Sequence, residues 1–300
     1  MRKIINLCLL ALLVIPLGVH GQTAGKDSLS NWKIGGNSSL TFNQVSLTNW
    51  SAGGKNSVAG TFLLDAFFNY SKDRVNWDNA LDLGYGLTKQ GSDNLVKTED
   101  KLYLSSKFGY RVDGSKWFYS ALLDFKTQFA TGYNDPPENT VKLSEFMAPA
   151  YINFSLGMDY KPNDNFSLYL SPLTSKMTVV RDDSLSRDGA FGVDANKHIR
   201  SEWGASLKLK AQKADIVKNV DVSTRLDLFS NLGDKPQNVD VDWELAFKMK
   251  VNDFLSAVAT FNLIYDDDIK YINKDKETEG PRVQFKQLFG FGISYKFGDK

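Results

Sequence analysis

From Val283 to Phe297 the sequence alternates with a period of two. Val283, Phe285, Phe289, Phe291, Ile293, Tyr295 and Phe297 share one parity, broken only by Gln287. Gln284, Lys286, Leu288, Gly290, Gly292, Ser294 and Lys296 share the other. Successive side chains of a β-strand point to opposite faces, so this segment is a strand with one aromatic face and one largely polar face. Alternation alone does not say whether the apolar face meets a protein core or lipid, because an antiparallel sandwich produces the same pattern.

The same rhythm recurs along the chain. Twelve strands are predicted: Lys33–Leu47, Ser57–Ser71, Arg74–Lys89, Asp100–Arg111, Lys116–Thr131, Tyr151–Lys161, Asn165–Val180, Arg200–Lys213, Val220–Asn231, Asn238–Lys250, Asp253–Asp266 and Arg282–Gly298. Most exceed the five or six residues usual in globular proteins, and several reach the ~9–11 residues of a tilted membrane-spanning strand. Within the seventh, Pro172 removes a ladder donor, which calls for a bulge or a break.

The connections decide the architecture. Short ones such as "RVDGSKW" and "KPNDN" follow even-numbered strands and carry tight-turn chemistry. Longer polar ones, such as "KQGSDNLVKTED" and "RDDSLSRDGAFGVDANKH", follow odd-numbered strands. Strict short–long alternation over an even strand count is the pattern of an outer-membrane barrel, with periplasmic turns and external loops. The fold expected is therefore all-β: a single antiparallel up-and-down transmembrane β-barrel of about twelve strands. The tryptophans agree with lipid outside. Trp32, Trp77 and Trp117 fall at one end of their strands, Trp203 and Trp243 at the other, and Trp50 in the first long loop. Indoles at both ends with aliphatic residues between form the aromatic girdles of a membrane barrel.

The opposite parity then lines the lumen, and it carries both signs of charge. Candidate lumen residues are Asp78 and Asp82 on the third strand, Lys107 and Arg111 on the fourth, and Asp124 and Lys126 on the fifth. Lys208 and Lys210 follow on the eighth, Arg225 and Asp227 on the ninth, and Asp242, Glu244, Lys248 and Lys250 on the tenth. Such groups mark either a water-filled path or a plug of paired charges, and twelve strands are compatible with both. Gly84, Gly86, Gly290 and Gly292 are placed on the same inner face.

At the N-terminus, Arg2 and Lys3 precede the apolar run Ile4–Val19, with small residues Val19 and Gly21 before Gln22. This reads as a cleaved signal peptide over residues 1–21, leaving residues 22–300 as one barrel domain. Cys8 is the chain's one cysteine. Its removal leaves no disulfide, cysteine-held metal or thiol nucleophile. Net charge of +1 argues against a nucleic-acid partner.

Chemistry is sparse. His198 lies in a long loop near Ser184, Ser186 and Ser201, with no spacing that fixes a nucleophile–base pair. Asp266, Asp267 and Asp268 lack EF-hand spacing and read as a solvated charge run. No enzyme activity, cofactor or metal is expected.

The segments "LTFNQVSLTNWSAGGKNSVAG", "WDNALDLGYGLTKQG", "KTEDKLYLSSKFGYR" and "WFYSALLDFKTQFATGYN" resemble a Bacteroidota family, domain of unknown function 3078. The resemblance implies an outer-membrane β-barrel and brings no activity or catalytic residue with it. Gly292, Tyr295 and Phe297 match the last-strand pattern thought to be read by the barrel-insertion machinery, which makes that machinery and outer-membrane lipid the expected partners. Two functions remain open at this point. One is a channel or small-solute transport barrel with a charged lumen. The other is a non-conducting accessory barrel that docks another envelope protein.

Overall fold

The computed structural model describes residues 31–47, 55–133, 141–272 and 278–298. The expected signal peptide and Trp50 lie outside the described residues. Twelve strands close into one antiparallel barrel: β1 (Trp32–Val45), β2 (Ser57–Lys72), β3 (Val75–Gln90), β4 (Val96–Arg111), β5 (Trp117–Thr127), β8 (Ala150–Asn163), β9 (Phe166–Val179), β10 (Ile199–Val217), β11 (Val220–Asn231), β12 (Val239–Lys250), β13 (Leu255–Tyr265) and β16 (Gln284–Gly298). Each pairs with its sequence neighbours in the barrel, and β1 closes on β16. Two small hairpins, β6 (Gly132–Tyr133) with β7 (Lys142–Ser144) and β14 (Lys270–Ile272) with β15 (Thr278–Pro281), occupy long connections.

Turn chemistry produces this order. Lys72 pairs with Val75 and Val217 with Val220, so each of these hairpins closes through two residues. Asp73 and Asn219 supply the positive φ such turns demand, at 53° and 65°. All of the tight turns lie at one end of the barrel, here the short-turn end; the other is the long-loop end.

Three boundaries differ from expectation by four residues, the others by two or fewer. β4 starts at Val96, not Asp100. β5 stops at Thr127, not Thr131, because the Phe129 and Ala130 N–H groups turn to the Asp100 carboxylate (2.7 and 2.9 Å) instead of a ladder partner. β10 continues past an irregularity between Lys213 and Val217, so part of the expected turn is strand.

Pro172 makes a bulge, not a break. Between Leu170 and Leu173 or Thr174, β9 has one residue more than β8 and β10 on either side of it. Pro172 has no ladder partner in either direction, which suits a residue with no N–H. The extra residue changes parity: Tyr169 and Ser171 point inward below the bulge, Thr174, Lys176 and Thr178 above it, and all are buried. Gly157 lies opposite, where a Cβ would collide with the Leu170 carbonyl oxygen.

Inside and outside are reversed relative to a water-soluble domain. The outer surface exposes Leu40, Phe62, Phe108, Phe154, Leu173 and Phe289, the last 69% exposed. The buried residues include Asp124, Asp159, Lys176, Glu202, Ser155 and Thr174. At the short-turn end Trp32 packs against Tyr70 and Trp77 (centroids 5.2 and 5.9 Å), and Trp117 against Tyr160 at 5.0 Å. Toward the other end Trp203 is exposed and Trp243 donates its indole N–H to Thr224 Oγ1 at 3.0 Å. Among the described residues no helix is long and apolar enough to cross a membrane.

Two long connections, β5–β8 and β9–β10, fold together over the long-loop mouth. Ala148, Val180, Leu185 and Val193 form their common apolar cluster, flanked by Ala190 and Phe191. The short helix α1 (Asp183–Arg187) is capped by Asp182, whose carboxylate accepts from the Leu185 N–H. Lys142 reaches across from the other loop to Asp182 (2.7 Å) and also pairs with Glu145 of its own loop (2.6 Å).

Candidate functional site: a charged belt inside the barrel

Alternating strands deliver ionisable side chains to the interior, and their reach decides what they meet. In the barrel order, β4 and β12 are six places apart of twelve, as are β3 and β11, so each pair faces across the full diameter. Lys101 on β4 meets Glu244 on β12 at 2.9 Å, and Arg225 on β11 meets Asp82 on β3 at 3.1 Å. Cross-pairs Lys101–Asp82 (3.9 Å) and Arg225–Glu244 (3.8 Å) close the four into one quartet. Asn262 Nδ2 donates to Glu244 at 3.0 Å, and the Arg225 guanidinium lies 4.5 Å from the centre of the Tyr103 ring. A bar of alternating charge thus crosses the lumen.

A second cluster adjoins it. Lys208 bridges Asp124 (2.7 Å) and Asp227 (3.0 Å), and the Tyr103 hydroxyl donates to Asp124 at 3.0 Å. Lys126 pairs with Asp242 across the interior. Toward the short turns, Lys161 pairs with Asp78 (2.6 Å), and Asp159 takes both Lys107 and the Ser167 hydroxyl. Toward the long loops, Lys176 bridges Asp240 (2.6 Å) and Asp266 (3.2 Å), and Arg200 bridges Glu202 (2.9 Å) and Asp268 (2.7 Å). Inside a protein such pairs are less screened than on a surface, and each offsets the desolvation of its partner.

Most candidate lumen residues therefore come together: Asp78, Asp82, Lys107, Asp124, Lys126, Lys208, Arg225, Asp227, Asp242 and Glu244 all enter this belt. Three stand apart from it. Arg111 lies over the Phe118 ring at 5.1 Å, Lys250 pairs with Asp253 in the adjoining turn at 2.7 Å, and Lys210 stands opposite the like-charged Arg225 in the β10–β11 ladder. Lys248 pairs with Asp65. Among the residues missing from the sequence expectation are Lys101, Tyr103, Asp159 and Lys176. Lys101 and Tyr103 share parity with Lys107 on one strand, and Asp159 follows the same rule on β8, so that signal was present. The Pro172 bulge hid Lys176 by shifting its parity.

The aspartate run 266–268 is corrected by the structure: it is not a solvated charge run. Asp266 is buried on Lys176, Asp268 is paired with Arg200, and Asp267 accepts from Asn238 Nδ2. Among the described residues His198 meets no serine hydroxyl. Its Nδ1 faces the Val180 carbonyl at 2.8 Å, while Ser186 donates to the Lys197 carbonyl and Ser184 to Asp182.

Between the loop cap and the belt lies a chamber of about 1490 Å³. Its walls include Tyr151, Lys176, Asp240, Asp242 and Gln284, its loop side Phe191 and Val193, and its floor Arg225 and Lys208. Asn153 Oδ1 and Arg225 Nε, both buried and lining it, have no hydrogen-bond partner among the described residues.

Residues 42–133 match the family described as protein of unknown function, DUF3078. The match covers the first hairpins, from within β1 through β5. A comparison with curated proteins gives no match. Among solved structures the chain is similar to an outer-membrane channel from Pseudomonas putida F1, with 11% identity over 89% of this chain and 96% of that chain and a TM-score of 0.37. It is also similar to the translocator domain of the autotransporter NalP from Neisseria meningitidis, with 7% identity over 91% and 90% and a TM-score of 0.37.

Proposed function

We propose that this chain is a bacterial outer-membrane barrel that passes small polar solutes, with the Asp82–Lys101–Arg225–Glu244 quartet as its constriction. The observation that carries this reading is the cross-lumen quartet itself, set beneath a chamber with charged walls. An interior meant only as filler would cost less if built from apolar side chains, since buried ion pairs at best offset their own desolvation. Charge inside a membrane barrel suits the lining of a polar path. The exposed aromatic belt and its two rows of tryptophan suit lipid and would be an association hazard in water.

On this reading the chain is exported through its N-terminal signal, inserted by the machinery that reads Gly292, Tyr295 and Phe297, and has no catalytic role. The family likeness suggests a Bacteroidota source. The non-conducting alternative, a barrel that docks another envelope protein, draws on one observation: both diametric bridges are formed, so the bar is closed as it stands.

Planar-bilayer recording tests the two. The channel reading expects discrete single-channel steps from the refolded chain, and larger steps when Glu244→Gln and Asp82→Asn remove the acidic half of the quartet. A folded barrel that stays silent in both forms overturns it.

A further inference from the structure

The barrel closes along β1 and β16, and that seam is only half made. Seven pairs join the two strands, from Gly35–Gly298 to Thr41–Gly292. On its other side β1 has fourteen pairs with β2, running on to Val45–Ser57, and β16 pairs with β13 as far as Ile264–Gln284. Both strands therefore continue toward the long loops as strands, but no pair joins residues 42–47 to residues 286–291. The register would set Gln44 opposite Phe289. Gly292 stands where the ladder ends, and a Cβ there would collide with the Leu40 carbonyl oxygen, so the strands are pinched together just below the point where they part.

This gap lies in the apolar belt. Leu40, Phe42, Phe289 and Phe291 are all exposed on its outer rim. In hydrocarbon an unmade row of backbone hydrogen bonds is costly, and closed barrels exist because they avoid it. On the inner parity this edge carries Asn43 and Val45 on β1 and Lys286, Leu288 and Gly290 on β16, and the next inward position of β16, Gln284, lines the chamber.

We propose that the parted seam is a lateral portal, through which a single-chain amphiphile with an ionic head moves between the surrounding lipid and the chamber. The chemistry on each side selects that class. The phenylalanine rim and a slot one missing ladder wide suit one acyl chain. The chamber offers charges of both signs and the unpartnered Asn153 Oδ1 and Arg225 Nε to a head group. A membrane-embedded strand from another chain would satisfy the edge but leave those inner groups unused.

The inference rests on the membrane-spanning part of the proposed function and not on conduction, so bilayer recording and the following test fail separately. The full chain, with Cys8→Ser, is placed in lipid nanodiscs with cysteines at Gln44 and Phe289, or at the paired control positions Ser38 and Tyr295. Nitroxide distances are expected to be longer and broader for the upper pair; matching narrow distributions overturn the portal. A lysophosphatidylcholine with a photoreactive head is expected to label the segment 240–242 and Gln284. Bridging the upper cysteines with a short bis-maleimide should remove that labelling, while the same bridge across the control pair leaves it unchanged. Chamber labelling that persists with the upper seam bridged, or labelling confined to the outward belt, overturns the proposal. So does displacement of the probe by a co-purifying protein strand found in the gap.

Discussion

Asp124 shows what one interior residue does. It is 2% exposed and takes Lys208 at 2.7 Å and the Tyr103 hydroxyl at 3.0 Å. Removing one member of a buried pair leaves the other charge uncompensated, which costs ~3–5 kcal/mol. Asp124→Ala is therefore expected to lower the denaturant midpoint of the detergent-folded barrel clearly, and the triple variant Asp124→Leu/Lys208→Met/Asp227→Leu, which removes the whole cluster, to recover much of the loss. A single variant as stable as the parent would refute the pairing. That Asp124 faces inward was legible from its parity with Lys126. That it meets Lys208 was not, because alternation fixes a side chain's face and not its distance from strands elsewhere in the sheet.

At the scale of the strand, the device that most changes the outcome is the Pro172 bulge. The proline announced an irregularity, but only the register on both neighbours shows that Leu173 and Pro172 both turn outward and that Lys176 stays inside. Deleting Pro172 should leave a regular strand with every facing kept. Deleting Phe125 from β5, whose two ladders have no irregularity, instead turns Asp124 or Lys126 toward lipid. A lysine in mid-bilayer costs ~2–4 kcal/mol. The expected result on a gel is a retained heat-modifiable folded band for the first deletion and its loss for the second. Twelve strands and the order of their turns were readable from period and turn residues. The half-made seam was not, since β16 alternates as cleanly above Gly292 as below it.

Over the whole molecule, two loops make a cap that the sequence showed only as long polar connections. Its apolar cluster draws one residue here and another there, with no period to reveal it. The cap is tied by Lys142, and its partners set a pH window. The Lys142 ammonium, with Ser184 after it, holds the Asp182 carboxyl well below its ordinary value of 3.8. Asp182 and then Glu145 push Lys142 above its ordinary 10.5. A depressed acid stabilises above its unfolded value and loses that contribution as pH falls through the folded one; a raised base does so below its unfolded value and loses it on the alkaline side. Hydrogen-exchange protection in the 183–193 segment, taken relative to the intrinsic rate at each pH, should thus hold from about pH 4 to about pH 10 and fall outside that range. Lys142→Met should lower it throughout.

The ion pairs that cross the lumen carry a consequence for how the barrel comes to exist. Lys101 and Glu244 are 143 positions apart, as are Asp82 and Arg225, and Glu99 and Lys286 are 187 apart. No single hairpin holds both members, so a hairpin threaded alone into a bilayer would keep only its looser neighbour pairs, such as Lys101–Asp82 at 3.9 Å and Arg225–Glu244 at 3.8 Å. The short partners across the lumen arrive only when the circle is complete. Insertion one hairpin at a time is thereby disfavoured, and the sheet must be rolled up around water before it is surrendered to the membrane.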